Sequence, residues 1–325
     1  MSRRGVLVLA IARVFDVLAI PFTALAGIWL RAVRVMGLQH MPASKAVLRA
    51  IGVFPVRDHY YEPLTDGRQL RHSLNDDRPL PGIDMNIAGQ LEILSRFHYQ
   101  EELRQFPLEP TGKTEYCYHN DSFESGDSEY LYSIIRLFKP RRIIEIGSGH
   151  STLIARAAIA RNTAEDAGYV CRHVCIEPYE QPWLETLGIE IIRRRVEELD
   201  VATTFGELGA NDILFIDSSH VIRPQGDVLF EYLEVLPTLR SGVLVHVHDI
   251  FTPKDYLPQW ILGEVKLWNE QYLLEAFLTQ NPSFRIIGAL NHLGHHYPRE
   301  MSEKLPVLGS EISHRKPGSF WMIRC

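Results

Sequence analysis

Two short polar clusters carry the residue types that are best suited to proton transfer or metal binding. One is Asp217-Ser218-Ser219-His220, and the other is His246-Val247-His248-Asp249. Each stands at the end of an apolar segment of strand type, "ILFI" in the first case and "VLVHV" in the second. Imidazole titrates near neutrality and can act as a general base, and carboxylates together with imidazole can hold a divalent metal. The clusters therefore predict either a catalytic centre or a metal site.

A glycine turn precedes these clusters in the chain. In "IIEIGSGHST" (residues 143–152), a buried-type strand runs into Gly147-Ser148-Gly149, and a helix is predicted from about Ser151. Glycines let a ligand approach the backbone closely, and the first turn of a helix presents free N–H groups. A dinucleotide fingerprint would need a third glycine at position 152, where this chain has Thr152. The turn therefore favours a nucleoside ligand without a pyrophosphate.

The second predicted strand ends in Glu177, which Pro178 follows. A carboxylate at the tip of this strand can accept hydrogen bonds from both hydroxyls of a ribose. The alternative is an α/β domain without a ligand, in which Glu177 is merely solvated.

Strands and helices alternate from residue 121 onward. The predicted strands cover residues 141–146, 173–176, 190–194, 212–216 and 243–247. The predicted helices cover residues 125–138, 151–161, 181–187, 227–236 and 262–278. Apolar strands that alternate with helices indicate a parallel sheet with helices on both of its faces.

The carboxyl end departs from this alternation. Two further strands are predicted at 284–290 and 319–325, and without a crossover helix they should pair antiparallel. The polar segment between them gives no strong helix signal. It contains "NHLGHHYP", which we interpret as a loop over the site, with metal binding by His292, His295 and His296 as the alternative. The predicted fold class is α/β, a doubly wound, mostly parallel seven-stranded sheet with an antiparallel edge strand and an N-terminal helical or irregular extension.

The two polar clusters should meet at one edge of this sheet. Ligands of open α/β sheets bind beyond the carboxyl ends of the strands, and the fourth and fifth strands should be neighbours. Strand alternation places His246 and His248 on one face. We expect Asp217, His220 and His248 to be catalytic, and a divalent metal such as Mg²⁺ held by Asp217, His248 and Asp249 is a further hypothesis. The remaining alternative is that the histidines only satisfy backbone carbonyls.

At this point the sequence resembles the class I S-adenosylmethionine-dependent methyltransferases, whose fold is Rossmann-like. The motifs that carry the resemblance are "EIGSG" at 145–149, the strand-end Glu177, "ILFIDSSH" and "VLVHVHD". The resemblance covers residues 121–325. Methyltransferases that act on sugars and phenols are similar in using acids after these two strands to hold Mg²⁺.

The resemblance also implies contacts for the cofactor, S-adenosylmethionine. Glu145 and the turn at 147–149 would contact its methionyl part, Glu177 its ribose, and the region of Glu197 would lie near its adenine. The complete set of implied cofactor-binding residues is Glu145, Gly147, Ser148, Gly149, Glu177, Glu197, Asp217 and Ser122.

The predicted function is methyl transfer from S-adenosylmethionine to an oxygen of a small-molecule, sugar or lipid-linked acceptor. The sulfonium makes the methyl group electrophilic, so the protein must align donor and acceptor and remove the acceptor's proton. One alternative is an NAD-dependent oxidoreductase that uses the same glycine turn. Another is a non-catalytic, membrane-associated protein with a methyltransferase-like fold.

Composition narrows the partners and the compartment. The 325 residues include 34 Lys and Arg against 40 Asp and Glu, for a net charge of −6 and no long basic run. This composition argues against a nucleic-acid partner. Four cysteines in a chain of this length suit a reducing compartment, so we expect a cytoplasmic protein. The sequence leaves a homo-oligomer open.

The amino end differs from the rest of the chain. An apolar stretch from Gly5 to Leu30 is interrupted by Arg13, Asp16 and Pro21, and its longest uncharged part has 14 residues, short of the roughly 20 that span a bilayer. A signal peptide and a transmembrane helix are alternatives, but the pattern favours a helix that lies on the inner membrane surface through residues 5–34 or packs on its own domain. The predicted domains are therefore 1–40, an irregular cap at 41–120, and the methyltransferase domain at 121–325.

Overall fold

The chain divides into two compact units. The computed structural model describes residues 3–325, with side chains from residue 11 onward. The smaller unit comprises the chain up to Arg71 together with Ile261–Leu267, and the larger comprises His72–Trp260 with Trp268–Cys325.

The smaller unit contains a long apolar helix. Its α-helices are α1 (Arg3–Met36) and α2 (Pro42–Ile51). Gly37, with φ +88°, ends α1, because the left-handed conformation stops the helical hydrogen-bond ladder. Large apolar side chains on α1, including Phe15 and Phe22, are more than half exposed. Ile11–Met36 is long and apolar enough to cross a membrane by length and composition, so the helix exceeds the predicted 14-residue segment.

The larger unit is built on a seven-stranded sheet. Its strands are β1 (Arg142–Ile146), β2 (Arg172–Ile176), β3 (Glu190–Ile192), β4 (Ile213–Ile216), β5 (Leu244–Val247), β6 (Phe284–Ala289) and β7 (Phe320–Arg324). Their order across the sheet is β3-β2-β1-β4-β5-β7-β6. The first five strands are parallel, and β7 runs antiparallel between β5 and β6. The predicted fold class and its antiparallel edge are confirmed.

Ten α-helices accompany this sheet in the described part of the larger unit. They are α3 (Ile87–Ser95), α4 (Gln100–Leu103), α5 (Asp127–Phe138), α6 (His150–Glu165), α7 (Val201–Phe205), α8 (Asp227–Phe230), α9 (Glu270–Leu278), α10 (Leu290–His296), α11 (Pro298–Lys304) and α12 (Pro306–Glu311). A π-helical turn (Glu231–Val235) and a 3₁₀ turn (Leu236–Thr238) continue α8.

The sheet separates two apolar clusters of buried side chains. Ile143 belongs to one cluster and Ile144 to the other, as the alternation of side chains along a strand requires. Leu94, Phe97 and Leu103 are fully buried in the first cluster, although they precede the predicted domain. Residues 72–120 therefore belong to the compact unit of the sheet, a different division from the separate cap predicted at 41–120.

Two helical predictions were wrong. The helix predicted at 262–278 begins only at Glu270, because Val265 has φ +56°, a left-handed conformation that interrupts an α-helix. The polar segment predicted as a loop is largely helical, as α10, α11 and α12. Pro298 and Pro306 are compatible with this because proline is tolerated in the first turn of a helix, where its missing N–H would have no intrahelical partner.

Candidate functional site

The glycine turn after β1 is pressed against the end of β4. Gly147 has φ +75°, and a Cβ built on it would lie 1.9 Å from the backbone oxygen of Asp217. The backbone N–H of Asp217 donates to the Ile146 carbonyl at 2.9 Å, which holds the two segments together. Both the backbone angle and the close approach therefore require glycine at position 147.

A cavity of about 470 Å³ opens at the carboxyl ends of the parallel strands. This volume falls within the range of about 300–1,000 Å³ that is typical of small-molecule sites. Gly147 after β1, Glu177 after β2, Glu197 after β3 and Asp217 after β4 all line it. The other lining residues are Ile146, Ile176, Pro178, Tyr179, Glu180, Arg195, Val196, Ser218, Ser219, Arg223 and Asp227.

Glu177 is held in a fixed orientation at the tip of β2. Its Oε1 accepts hydrogen bonds from the backbone N–H groups of Tyr179 and Glu180, each at 2.9 Å. Both donors contact Oε1, and Oε2 has no hydrogen-bond partner among the described residues. Oε2 is therefore the oxygen that remains available to a ligand. Arg193 donates to the carbonyl of Glu177 at 2.9 Å and fixes the backbone at the same point.

The cavity wall carries an excess of negative charge. Five carboxylates line it against two guanidinium groups, those of Arg195 and Arg223. Arg223 lies 3.6 Å from Asp227, whose oxygens also accept hydrogen bonds from the N–H and hydroxyl of Ser219. Such a wall attracts a cationic ligand and repels an anionic one. A pyrophosphate with two negative charges is therefore poorly matched to it.

His220 links the cavity wall to the interior. Its Nε2 lies 3.3 Å from Oδ1 of Asp217, and its Nδ1 lies 2.8 Å from Oε2 of Glu270. Burial alone would lower the pKa of His220, but hydrogen bonds to both carboxylates raise that pKa well above its ordinary value. His220 is therefore an imidazolium with both nitrogens committed as donors. This geometry does not suit the general-base role predicted for His220.

Asp217 remains ionised beside this imidazolium. Burial alone would raise the pKa of Asp217, but the charge of His248 and the hydrogen bond from His220 outweigh it and lower the pKa. The carboxylate lies on the cavity wall with a third of its side chain accessible. It can accept a hydrogen bond from a ligand that enters the cavity.

His248 and Asp249 complete the cluster from β5. Nε2 of His248 lies 3.5 Å from Oδ1 of Asp249, and Oδ2 of Asp249 lies 3.8 Å from Nε2 of His220. Burial would lower the pKa of His248, but the charges of Asp249, Asp217 and Asp127 outweigh it and raise the pKa. The structure thus brings Asp217, His220, His248 and Asp249 together, as their strand positions suggested.

Two members of the cluster have unusual backbones. His220 has φ +59° and Asp249 has φ +56°, in the left-handed region that side-chain-bearing residues seldom adopt. The N–H groups of Asn269 and Glu270 both donate to the His220 carbonyl, at 3.0 and 3.2 Å, and hold this conformation. Left-handed residues of this kind cluster at functional sites, where surrounding bonds maintain the strain.

His246 has a different role from His248. It is fully buried, stacks on Phe215 with ring centroids 4.0 Å apart, and shares a hydrogen bond of 2.9 Å with the Ser319 hydroxyl. Burial, with the nearby charge of His248, lowers the pKa of His246 well below its ordinary value. His246 is therefore a neutral core residue that supports the cluster from beneath.

Four residues that were predicted to bind the cofactor do not line the cavity. Glu145 is buried, with its carboxylate bonded to Ser151, Thr152 and His173. It faces the opposite side of the sheet from Ile146 because neighbours in a strand alternate. The others are Ser148, Gly149 and the exposed Ser122.

Sequence reasoning missed several residues of the site. Tyr179 and Arg195 line the cavity and contact each other, since the Arg195 guanidinium donates to the tyrosine hydroxyl at 2.5 Å. The sequence offered one signal for Tyr179, which is its position two residues after the predicted ligand-binding residue Glu177. Glu270 carried no signal, because its contact with His220 spans 50 residues of chain.

The structure also bears on metal binding. Among the described residues, two groups bring three potential ligand atoms within 4.8 Å of one another: Asp77 with His292 and His296, and Glu145 with His173 and Cys175. The predicted group of Asp217, His248 and Asp249 is not one of them. The metal hypothesis for the β4–β5 cluster therefore gains no support from the geometry.

Comparison with known proteins adds a family match. Residues 144–250, from β1 through β5, match the model of a family described as a methyltransferase domain. An uncharacterized protein of Archaeoglobus fulgidus is 29% identical over 174 residues, which are 49% of this chain and 76% of that protein.

Two solved structures are similar at low identity. One is the O-methyltransferase TomG from Streptomyces achromogenes, which is involved in tomaymycin synthesis and was solved in complex with SAM. The two sequences are 15% identical, and the TM-score is 0.35. The match covers 72% of this chain and 89% of that chain. The other is a SAM-dependent methyltransferase from Archaeoglobus fulgidus, with 14% identity, 61% and 93% coverage, and a TM-score of 0.31. Both TM-scores lie below 0.5, so the fold rests on the strand order of this chain.

Proposed function

We propose that this chain is an S-adenosylmethionine-dependent methyltransferase that binds its cofactor in the cavity beyond β1–β4 and methylates an oxygen of a small-molecule, sugar or lipid-linked acceptor. The match of residues 144–250 to a methyltransferase domain confirms the class predicted from the sequence. The observation that carries the assignment of the site is the acid-lined cavity, to which four successive strand ends contribute Gly147, Glu177, Glu197 and Asp217.

The residues of the cavity fit this cofactor. When bound, S-adenosylmethionine supplies a methyl group on a positively charged sulfonium. Glu177 would accept a hydrogen bond from the ribose through its uncommitted Oε2, and Glu197 would lie towards the adenine. The excess of carboxylates on the wall favours the positive charge. The same excess disfavours NAD, whose pyrophosphate is anionic.

Asp217 would accept the proton of the acceptor hydroxyl, with His248 in a supporting role. Asp217 lies on the cavity wall, is held ionised, and can accept the hydrogen bond of an acceptor hydroxyl. His248 would support this step through its charge, because the neighbouring carboxylates raise its pKa and the charge of His248 helps to keep Asp217 ionised. His220 would act as a positioning residue, because its imidazolium fixes the Asp217 carboxylate.

The helix α1 suggests where this chemistry takes place. Its exposed apolar side chains would attach a cytoplasmic enzyme to the inner face of a membrane. A lipid-linked acceptor would then be concentrated at the same surface. This part of the proposal rests on α1 alone and is independent of the cavity.

Isothermal titration with S-adenosylmethionine tests the cavity assignment. We expect S-adenosylmethionine to bind and its demethylated product to compete with it. In Glu177→Ala the affinity for S-adenosylmethionine should fall about tenfold or more, because a carboxylate that hydrogen-bonds the ligand is removed. Glu198→Ala is the matched control, since Glu198 neighbours the cavity residue Glu197 without lining the cavity. Absence of binding by the intact chain, or equal affinity in both variants, would refute the assignment.

Flotation of the full-length chain with phosphatidylethanolamine–phosphatidylglycerol vesicles tests the membrane assignment. Leu18→Asp with Phe22→Asp should reduce flotation strongly, because both side chains are exposed on α1. Val47→Asp with Ile51→Asp changes two exposed apolar side chains on α2 and should leave flotation unchanged. If the wild-type chain does not float, or if both double variants behave alike, α1 is not the anchor.

A further inference from the structure

A second group of chemically active side chains lies outside the methyl-transfer site. His292 and His296 are one helical turn apart on α10, and their ring centroids are 4.4 Å apart. Asp77, more than 200 residues earlier in the chain, places Oδ2 at 2.7 Å from Nε2 of His296. The three side chains offer one ligand atom each within 4.8 Å of one another.

We propose that Asp77, His292 and His296 form a zinc-binding site. Two imidazole nitrogens and one carboxylate oxygen are a donor set that suits Zn²⁺, whereas Mg²⁺ prefers oxygen ligands alone. The proposal is independent of methyl transfer and uses none of the residues assigned to it.

The geometry needs little change to accept the ion. Bonds of about 2.0–2.2 Å place two ligands of a tetrahedral zinc roughly 3.3 Å apart, so His296 and Asp77 need only separate slightly. The Asp77 carboxylate can serve two cations, because Lys254 holds Oδ1 at 2.9 Å while His296 contacts Oδ2. A zinc on Oδ2 would therefore leave the lysine pair in place.

His292 supplies an independent indication. Its Nδ1 is buried and has no hydrogen-bond partner among the described residues. Burial of an unpaired polar atom costs free energy, so this ring has an unused bonding capacity. Asp77 and His296 remain exposed, which gives a metal ion access from solvent.

The other candidate group differs in these respects. Glu145, His173 and Cys175 are all buried. The Glu145 carboxylate already accepts hydrogen bonds from Ser151 and Thr152. Binding an ion there would require those bonds to break.

Zinc in the exposed site would fix one wall of a neighbouring cavity. Lys254 and Asn75 line a cavity of about 310 Å³, and so does His295 on α10. The Lys254 ammonium also donates to the Asn75 carbonyl at 2.6 Å. Metal binding would therefore tie the segment that contains Asn75 and Asp77 to α10.

Equilibrium dialysis of the full-length chain against Zn²⁺ alone tests the proposal. We expect about one zinc per chain at micromolar concentration, retained in the presence of millimolar Mg²⁺. His292→Ala and His296→Ala should each reduce retention at least tenfold. Zinc should raise the melting temperature of the wild-type chain but not that of the variants, and circular dichroism confirms that each variant is folded.

Two controls separate this site from the alternatives. His314→Ala removes an exposed histidine outside the group and should retain zinc. Cys175→Ser tests the buried group and should also retain zinc. The proposal is overturned if the wild-type chain retains no zinc, or if retention depends on Cys175 and not on His292 and His296.

Discussion

The two halves of the proposed methyl-transfer site, one proposed for the cofactor and one for the acceptor, are built in different ways. The cofactor half is made by strand ends and their turns, where Gly147 meets the Asp217 backbone and Glu177 is held by the next two N–H groups. The acceptor half is made by side chains that meet across the fold, as when Glu270 binds His220. The cofactor half therefore depends on backbone geometry. The acceptor half depends on a network of charged side chains, some of which come from distant parts of the chain.

Breaking the backbone half should have the largest effect. Gly147→Ala places a Cβ 1.9 Å from the Asp217 oxygen at φ +75°, so β1 and β4 must separate. We expect affinity for S-adenosylmethionine to fall by about 100-fold or more, equivalent to about 2.7 kcal/mol, as measured by titration calorimetry.

Gly149→Ala is the matched control for this change. Gly149 lies in the same turn, has φ −178°, and a Cβ there would meet nothing within 4 Å. Its affinity should stay within a few-fold of that of the wild-type chain. Similar losses in both variants would show that glycine content, and not the contact with Asp217, governs the turn.

Removing the charge on the cavity wall should affect the acceptor half selectively. Asp217→Asn keeps the shape of the side chain but loses its charge, so methyl transfer should fall by about 100-fold to 10,000-fold, the range of general acid–base contributions. Binding of S-adenosylmethionine should weaken far less than turnover. Equal losses of turnover and cofactor affinity would place Asp217 on the cofactor half alone.

The smallest effect should follow from the distant member of the network. Glu270→Gln removes one of the two carboxylates that raise the pKa of His220, so that pKa should fall. We expect turnover to decrease by about tenfold, which corresponds to an increase of about 1.4 kcal/mol in the activation free energy, while the affinity for the cofactor stays unchanged. His220 chemical shifts followed by NMR across a pH series measure the pKa directly.

The same variant predicts a change in the pH dependence of stability. His220 has a folded-state pKa above its unfolded value, so its contribution is complete below about pH 6.5 and is lost as pH rises through the folded-state pKa. The wild-type chain should lose this stabilisation as pH rises through that window, and Glu270→Gln should lose less. Identical unfolding curves across the window would contradict a charged His220.

Sequence patterns determined the architecture because it depends on local periodicity. The strands, the glycine turn and the position of Glu177 follow from residues that are close together in the chain. The antiparallel pairing of β6 and β7 was predicted correctly, but its premise was wrong, because three short helices lie between these strands. The helices α10–α12 were missed because their segment is short, polar and rich in histidine. Leu94 and Phe97 were assigned to a separate cap because burial against a distant strand leaves no local signal.

The roles of the histidines show what local sequence patterns could not predict about the site. His246 lies in β5 and His248 directly follows that strand. The two are equivalent in the sequence pattern, yet His246 is a neutral core residue and His248 lies among three carboxylates. His220 carries its positive charge because Glu270 reaches it from α9. The sequence by itself determined which residues stand at the carboxyl ends of the strands, since strand limits and side-chain alternation follow from local periodicity. Only the tertiary structure decided their protonation, because a pKa depends on charges and burial contributed by distant parts of the chain.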